Sequence, residues 1–395
     1  MELSSIRNMK PAAEFVDQWS RSDQVIIYGD DDVDGICSVI IIKEALERLG
    51  FKKIETLFCL QEKEGHGFSL PALDFIKDRS PAKLILVDLG ISDNQAITEA
   101  RRLGFEVLVI DHHEPLSTEL PPANFIINPK HPADTYHFKQ LAAAGLCYHF
   151  SRWLLKDDPD FDLLSERLVR LAGLATIADM MPIDYDNLEI VNRMMDLLPD
   201  TGQPALRALL DRHLTEDKTL REVIHQIIGT LNASRVNAQR QAESFLLLTE
   251  EKPAQILRMI QTLENRWQEY LALREEILLE AQQRVNEESL EEIIFIGGEN
   301  WPRRVIAAVA SNLAADYNRP AFVYSQMADI ARGSVRSPAG IDCVSLMGAC
   351  SDYLTNFGGH PPAAGFEVKN ENLQKFRLCL IKNYRNIYGK SNCSH

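Results

Sequence analysis

The 395-residue chain, 45% hydrophobic and 25% charged, has the composition of a globular protein and is too long for one ordinary core. A formal charge of −15 argues against a strong non-specific grip on duplex nucleic acid, and seven cysteines without a CxxC pair argue against a disulfide framework or a cysteine-rich zinc site. Residues 1–10 show no secretory h-region and the apolar run 39–42 stops at Lys43, so a cytoplasmic protein with reduced thiols and no membrane partner is expected.

In chain order, short runs rich in Val and Ile at 25–28, 54–60, 84–87, 107–110 and 125–127 read as buried strands. Patterns at 38–49 and 94–103 read as helices between them. Such alternation implies a mostly parallel sheet with helices on both faces, and 142–155 and 163–177 read as further covering helices. From 255 to about 285, apolar residues including Ile256, Ile260, Leu263, Trp267, Ile277, Ala281 and Val285 recur at three and four, which predicts one long amphipathic helix. Beyond it, 292–296 and 321–324 read as strands around a helix at 305–317. The expected organisation is a first α/β domain at 1–215, a helical connector at 216–288 and a smaller α/β domain at 289–395.

The acids fall at strand ends. Residues 25–28 run into Gly29 and then Asp30-Asp31-Asp32-Val33-Asp34-Gly35; 84–87 end at Asp88; 107–110 end at Asp111-His112-His113. In an open parallel sheet the carboxyl ends of the strands line one crevice, where ligands bind. A single Asp after a strand is usually a turn former or helix cap. Three such ends, one followed by two imidazoles, make a crowd of anions that is costly without cations among them. Oxygen ligands with one or two His suit Mn²⁺ or Mg²⁺, and no thiolate is expected in the set. The spacing of Asp30, Asp32 and Asp34 imitates the opening of a calcium loop, but a strand precedes it and Ile41 stands where that loop needs Glu.

The runs YGDDDVDG (28–35), LVDLGIS (86–92), VIDHHEP (109–115) and ATIADMMP (175–182) resemble, in order, the four metal-site motifs of the DHH superfamily of phosphoesterases. The likeness extends through EGHGFS (64–69), FKQLAAAG (138–145), LNASR (231–235), ASNLAADYNRP (310–320), GSVRS (333–337) and FGGHPPAAG (357–365), segments similar to RecJ-like single-stranded-DNA exonucleases with their DHH-associated domain. The resemblance implies a phosphodiesterase with two divalent ions, Mn²⁺ or Mg²⁺, that degrades single strands from the 5′ end. Asp30, Asp32 and Asp34 would serve the ions, Asp88 would bridge them, and His112 and Asp179 would complete the second. Asp111 would orient the imidazoles, and His113 would lie near the scissile phosphate. Asn232, Arg235, Ser334, Arg336, Gly359 and His360 would contact nucleic acid or phosphate, the last two from a glycine loop facing the crevice.

Three features depart from the pattern. Tyr28 stands where small-substrate members place a metal-binding His, which favours the exonuclease branch. Gln61 stands where RecJ-like chains carry an Arg associated with the 5′ end, and it offers no charged fork to a phosphate. No OB-fold follows the GGH segment, so a core enzyme with a helper protein in that place is expected. A nanoRNase or small-nucleotide phosphatase of the same superfamily remains as the alternative. A non-catalytic replication scaffold is opposed by the full set of acidic ligands.

Overall fold

The computed structural model describes residues 6–115, 119–287, 292–299 and 301–389 and divides into two compact units, Met1–Trp267 and Gln268–His395. The first is built on five parallel strands, β1 Gln24–Gly29, β2 Lys53–Phe58, β3 Lys83–Val87, β4 Glu106–Ile110 and β5 Phe125–Ile127, in the order β2-β1-β3-β4-β5. Successive side chains on a strand point to opposite faces. Val25 and Ile27 accordingly join one core cluster, while Ile26 and Tyr28 join another. The first cluster packs against α1 Met9–Asp17, α2 Val33–Arg48, α6 Ala143–Leu154 and α7 Phe161–Ala178; the second packs against α4 Leu70–Ile76 and α5 Asn94–Arg102. A short α3, Gln61–Glu64, precedes α4.

Further helices thicken the first cluster: α8 Tyr185–Leu197, α9 Pro204–His213, α10 Leu220–Asn232 and α11 Glu243–Thr249. α12, Pro253–Glu287, is the long helix anticipated from its periodicity. The units part inside it. Ile256, Ile260 and Leu263 are buried in the first core, and Ile277, Ala281 and Val285 in the core of the second unit. Residues 216–252, expected within a connector, instead bury Ile224, Ile227, Leu231, Phe245 and Leu248 against the first domain.

The second unit carries a mixed sheet, β6-β7-β8-β10-β9, from β6 Ile294–Gly298, β7 Ala321–Gln326, β8 Ile330–Arg336, β9 Leu354–His360 and β10 Ala363–Lys369. Its helices are α13 Arg303–Tyr317, α14 Cys343–Gly348 and α15 Leu373–Tyr388. The glycine segment 357–360, expected as a loop, is part of edge strand β9, hairpinned to β10. Gly358 and Gly359 disfavour a strand on their own, and pairing with β10 overrides that preference. Cys350 and Cys379 form a disulfide with a Cα–Cα distance of 5.9 Å, where reduced thiols were expected throughout; tertiary packing unites cysteines 29 residues apart. Cys393 lies outside the described residues. No helix among those residues is long and apolar enough to cross a membrane.

Candidate metal centre

Parallel register aligns Gly29 with Phe58 and Val87, and Val87 with Ile110, so the next residues, Asp30, Cys59, Asp88 and Asp111, emerge at one sheet edge. Asp32 caps α2, its Oδ1 accepting the N–H groups of Asp34 and Gly35 at 3.0 Å each. This turn tolerates only Gly at 35, because a Cβ there would lie 2.4 Å from the Asp30 carbonyl oxygen. Asp34, in the first turn of α2, is buried against the start of α6, accepting the Ala143 and Ala144 N–H groups at 2.8 and 2.7 Å. Those donors have no partner within their own helix, and this gives the 138–145 run a physical role.

Asp88 adopts a left-handed backbone, φ 61°, a conformation Asp tolerates better than most residues. It belongs to two groups of side chains whose ligand atoms lie within 4.8 Å of one another: Asp30, Asp32 and Asp88, and Asp88, His112 and His113. A third group joins Asp34, His112 and Asp179, the residue that ends α7. His112 Nε2 lies 3.3 Å from Asp88 Oδ1, 3.5 Å from Asp179 Oδ2 and 3.9 Å from Asp34 Oδ2. Asp88 Oδ1 and Asp179 Oδ2 are nevertheless buried atoms without a hydrogen-bond partner. An imidazole nitrogen and three carboxylates facing one another in this way could hold a cation.

The electrostatics agree. Burial, then the charges of Asp179 and Asp32, pushes the Asp34 carboxyl well above the usual range; burial, then Asp34 and Asp32, does the same to Asp88. Asp179 is pushed up to about 6 by burial and by Asp32. His112 is pushed down to about 3 by burial and by His113, so it is neutral, the form that binds metal. Divalent charge among these groups would relieve their mutual repulsion.

Asp111 is fully buried. Its Oδ2 accepts the Ile91 N–H at 2.9 Å, and its Oδ1 accepts the N–H groups of His112 and His113 and faces His113 Nδ1 at 2.8 Å. It therefore holds the ring of His113 but meets only the backbone of His112. Burial opposes its ionisation, yet the contact with His113 keeps its carboxyl below the usual range.

Three neighbours were not anticipated. His66 Nδ1 lies 2.9 Å from Asp30 Oδ2, and its ring stands edge-on to that of His113, with centroids 5.0 Å apart. The hydrogen bond to Asp30 pushes the His66 imidazole up to about 9. Cys59 donates to Asp30 Oδ1 at 2.7 Å, so a sulfur does reach the carboxylates. The expected strand at 54–60 hid Cys59 inside it; β2 ends at Phe58, and Cys59 opens the strand-end loop. Arg240, in the turn before α11, is buried and bonds Tyr28 Oη at 3.0 Å and Glu64 Oε1 at 2.5 Å. Tyr28 is thereby committed to Arg240 and, edge-on, to Phe68.

Among the expected nucleic-acid contacts, Asn232 and Arg235 are exposed at the end of α10 and in the turn beyond it. In the second unit, Arg336, Ala363 and His360 form one row across β8, β10 and β9, next to the row of Ser334, Gly365 and Gly358. Directly opposed residues share a face, so Ser334, Arg336 and His360 stand on one face with small residues between them. Gly359 alternates to the other face, at φ 138°.

The DHH family N-terminal domain model matches residues 24–176 and the DHHA1 domain model matches 289–384. The single-stranded-DNA-specific exonuclease RecJ of Bacillus subtilis is 31% identical over 386 residues, covering 95% of this chain and 47% of that protein. The protein of the same name from Thermus thermophilus is 28% identical over 371 residues, with 93% and 53% covered. The chain thus spans about half the length of these relatives. A crystal structure of exonuclease RecJ bound to manganese superposes with a TM-score of 0.80 at 23% identity, over 98% of this chain and 97% of that one. RecJ from Thermus thermophilus in complex with Mn²⁺ superposes at 0.81 with 23% identity, over 97% and 55%. These likenesses establish the shared fold.

Proposed function

We propose, because the chain belongs to the DHH family, that it is a divalent-metal-dependent phosphodiesterase that degrades single-stranded DNA as an exonuclease. The observation that carries the reading is the convergence of Asp34, Asp88 and Asp179 on His112 Nε2 with buried oxygens left unbonded. Asp30, Asp32 and Asp88 would hold one ion, and Asp34, Asp88, His112 and Asp179 a second, with Asp88 shared. The hard oxygen set suits Mn²⁺ or Mg²⁺, the ions named for solved RecJ structures. Two such ions, when bound, supply Lewis acidity to a phosphodiester oxygen and lower the pKa of water.

The chain's own groups do the rest. Asp111, itself fixed by the Ile91 N–H, holds His113 by Nδ1 beside Asp88, leaving the opposite ring nitrogen for a substrate oxygen. Each unit by itself offers donors suited to the phosphates of a strand, Asn232 and Arg235 in the first and the face bearing Ser334, Arg336 and His360 in the second. Gly359, on the other face, lets β9 approach β10, where a Cβ would lie 2.5 Å from Ala364 Cα. The 5′ to 3′ direction follows the family resemblance, as does a helper protein for strand binding.

The experiment is digestion of a 3′-labelled single strand, a duplex and a dinucleotide in Mn²⁺. A ladder of shortening labelled products from the single strand is expected, with the duplex resistant and EDTA abolishing cleavage. Asp88→Ala should lower turnover by at least about three powers of ten while the fold persists. Full activity in that variant or in chelated protein would overturn the metal reading. A labelled mononucleotide as first product would reverse the direction, and cleavage confined to the dinucleotide would overturn the strand substrate.

A further inference from the structure

We infer that His66 and Cys59 are positioning residues of the metal centre, together fixing the two oxygens of Asp30 so that its remaining lone pairs are presented to one ion. The inference rests on the metal reading above.

The loop that carries His66 is built for the purpose. Gly65 and Gly67 flank it at φ 85° and 108°, conformations that favour glycine, and a Cβ on Gly67 would lie 2.6 Å from Asp93 Oδ1. The chain is pinned before His66, where Glu64 bonds Arg240 at 2.5 Å and the Ser69 hydroxyl at 2.8 Å. It is pinned again after it, where the Phe68 N–H donates to Asp93 Oδ2 at 2.6 Å. What this anchored turn delivers is Nδ1 of an imidazole, 2.9 Å from Asp30 Oδ2. The other oxygen, Oδ1, accepts the Cys59 thiol at 2.7 Å and the Asp31 N–H at 2.8 Å. A carboxylate oxygen holding one or two such bonds keeps capacity for a cation, and the donors fix its rotation. His66 is half-exposed, so its loss removes a donor without opening a core cavity.

The test is Mn²⁺ titration of the full chain, followed by calorimetry and by electron paramagnetic resonance of the free ion. His66→Ala and Cys59→Ala should each weaken one of two sites by about 10- to 100-fold. His66→Asn puts an amide nitrogen where Nδ1 stood, and Cys59→Ser keeps a hydroxyl donor; both should recover most of the loss. Unchanged affinity in His66→Ala, or an Asn variant as weak as the Ala one, overturns the role of His66. A sulfur-to-cobalt charge-transfer band in Co²⁺-loaded protein, lost in Cys59→Ser, would make Cys59 a ligand and overturn its role as donor. Wild-type protein that takes up no Mn²⁺ would bring down the metal reading and this inference together, whereas uptake indifferent to these variants would bring down the inference alone.

Discussion

His149 sits fully enclosed on α6, the helix whose first N–H groups hold Asp34, and both its ring nitrogens are buried without a hydrogen-bond partner. Burial, then Arg152, pushes its pKa from the ordinary 6.5 down to about 3. In the unfolded chain the ring protonates as pH falls through 6.5, while in the folded chain it stays neutral until near 3. The pH-dependent cost of this residue is therefore absent above pH 6.5 and removes stability progressively below it, by up to about 1.4 kcal/mol per pH unit. Urea unfolding of chelated protein between pH 7 and 4 should show His149→Leu with a shallower loss of stability, by about one proton. An unaltered slope would mean that the ring finds a partner. The legibility of single residues follows the same physics of context. Asp30, Asp88 and Asp111 could be read because an acid directly after an apolar run is conspicuous. His66, Cys59 and Arg240 could not, because their meaning comes from partners 36, 29 and 176 residues away.

At the scale of elements, the pair α7 and α8 sets the position of Asp179, since that residue closes α7. Gly173 makes the close packing possible: a Cβ there would lie 2.4 Å from Met194 Cβ and 2.7 Å from its Cγ. In an exposed helix, Gly→Ala gains up to about 1 kcal/mol from propensity. Here Gly173→Ala should instead lose about 1–3 kcal/mol through overpacking and should lower Mn²⁺ affinity as α7 shifts Asp179. Thermal melts and Mn²⁺ titration check both; a variant as stable as wild type would show slack between the helices. The parallel strands were legible because burial on both faces makes them continuous Val and Ile runs. The strands β8 to β10 were not, since Gly333, Gly358, Gly359 and Gly365 interrupt their apolar pattern, and they are held extended by pairing together with the burial of Val335, Phe366 and Val368. A helix of 35 residues was legible from its period, but where a core ends along it was not.

For the whole molecule, the distribution of charge and cores separates two kinds of stability. The carboxylates at the sheet edge all lie in the unit Met1–Trp267, and every candidate metal group belongs to that unit among the described residues. The unit Gln268–His395 has core clusters of its own, one around α13 and one around Phe322, Phe366 and Phe376, and it carries the disulfide. A ligand that binds only the folded state stabilises what it binds, by about 2.7 kcal/mol per site at one hundred times its dissociation constant. Part of the −15 charge is thus a repulsion that cations at that edge would relieve locally rather than a property of the whole surface. Calorimetry of the intact chain should therefore show two transitions, of which Mn²⁺ raises one and leaves the other in place, and EDTA should reverse the shift. Asp88→Ala should abolish the shift while leaving both transitions visible. A single transition that moves as a whole with Mn²⁺ would mean that α12, with its apolar residues shared between the two cores, binds the units into one cooperative block despite their separate interiors.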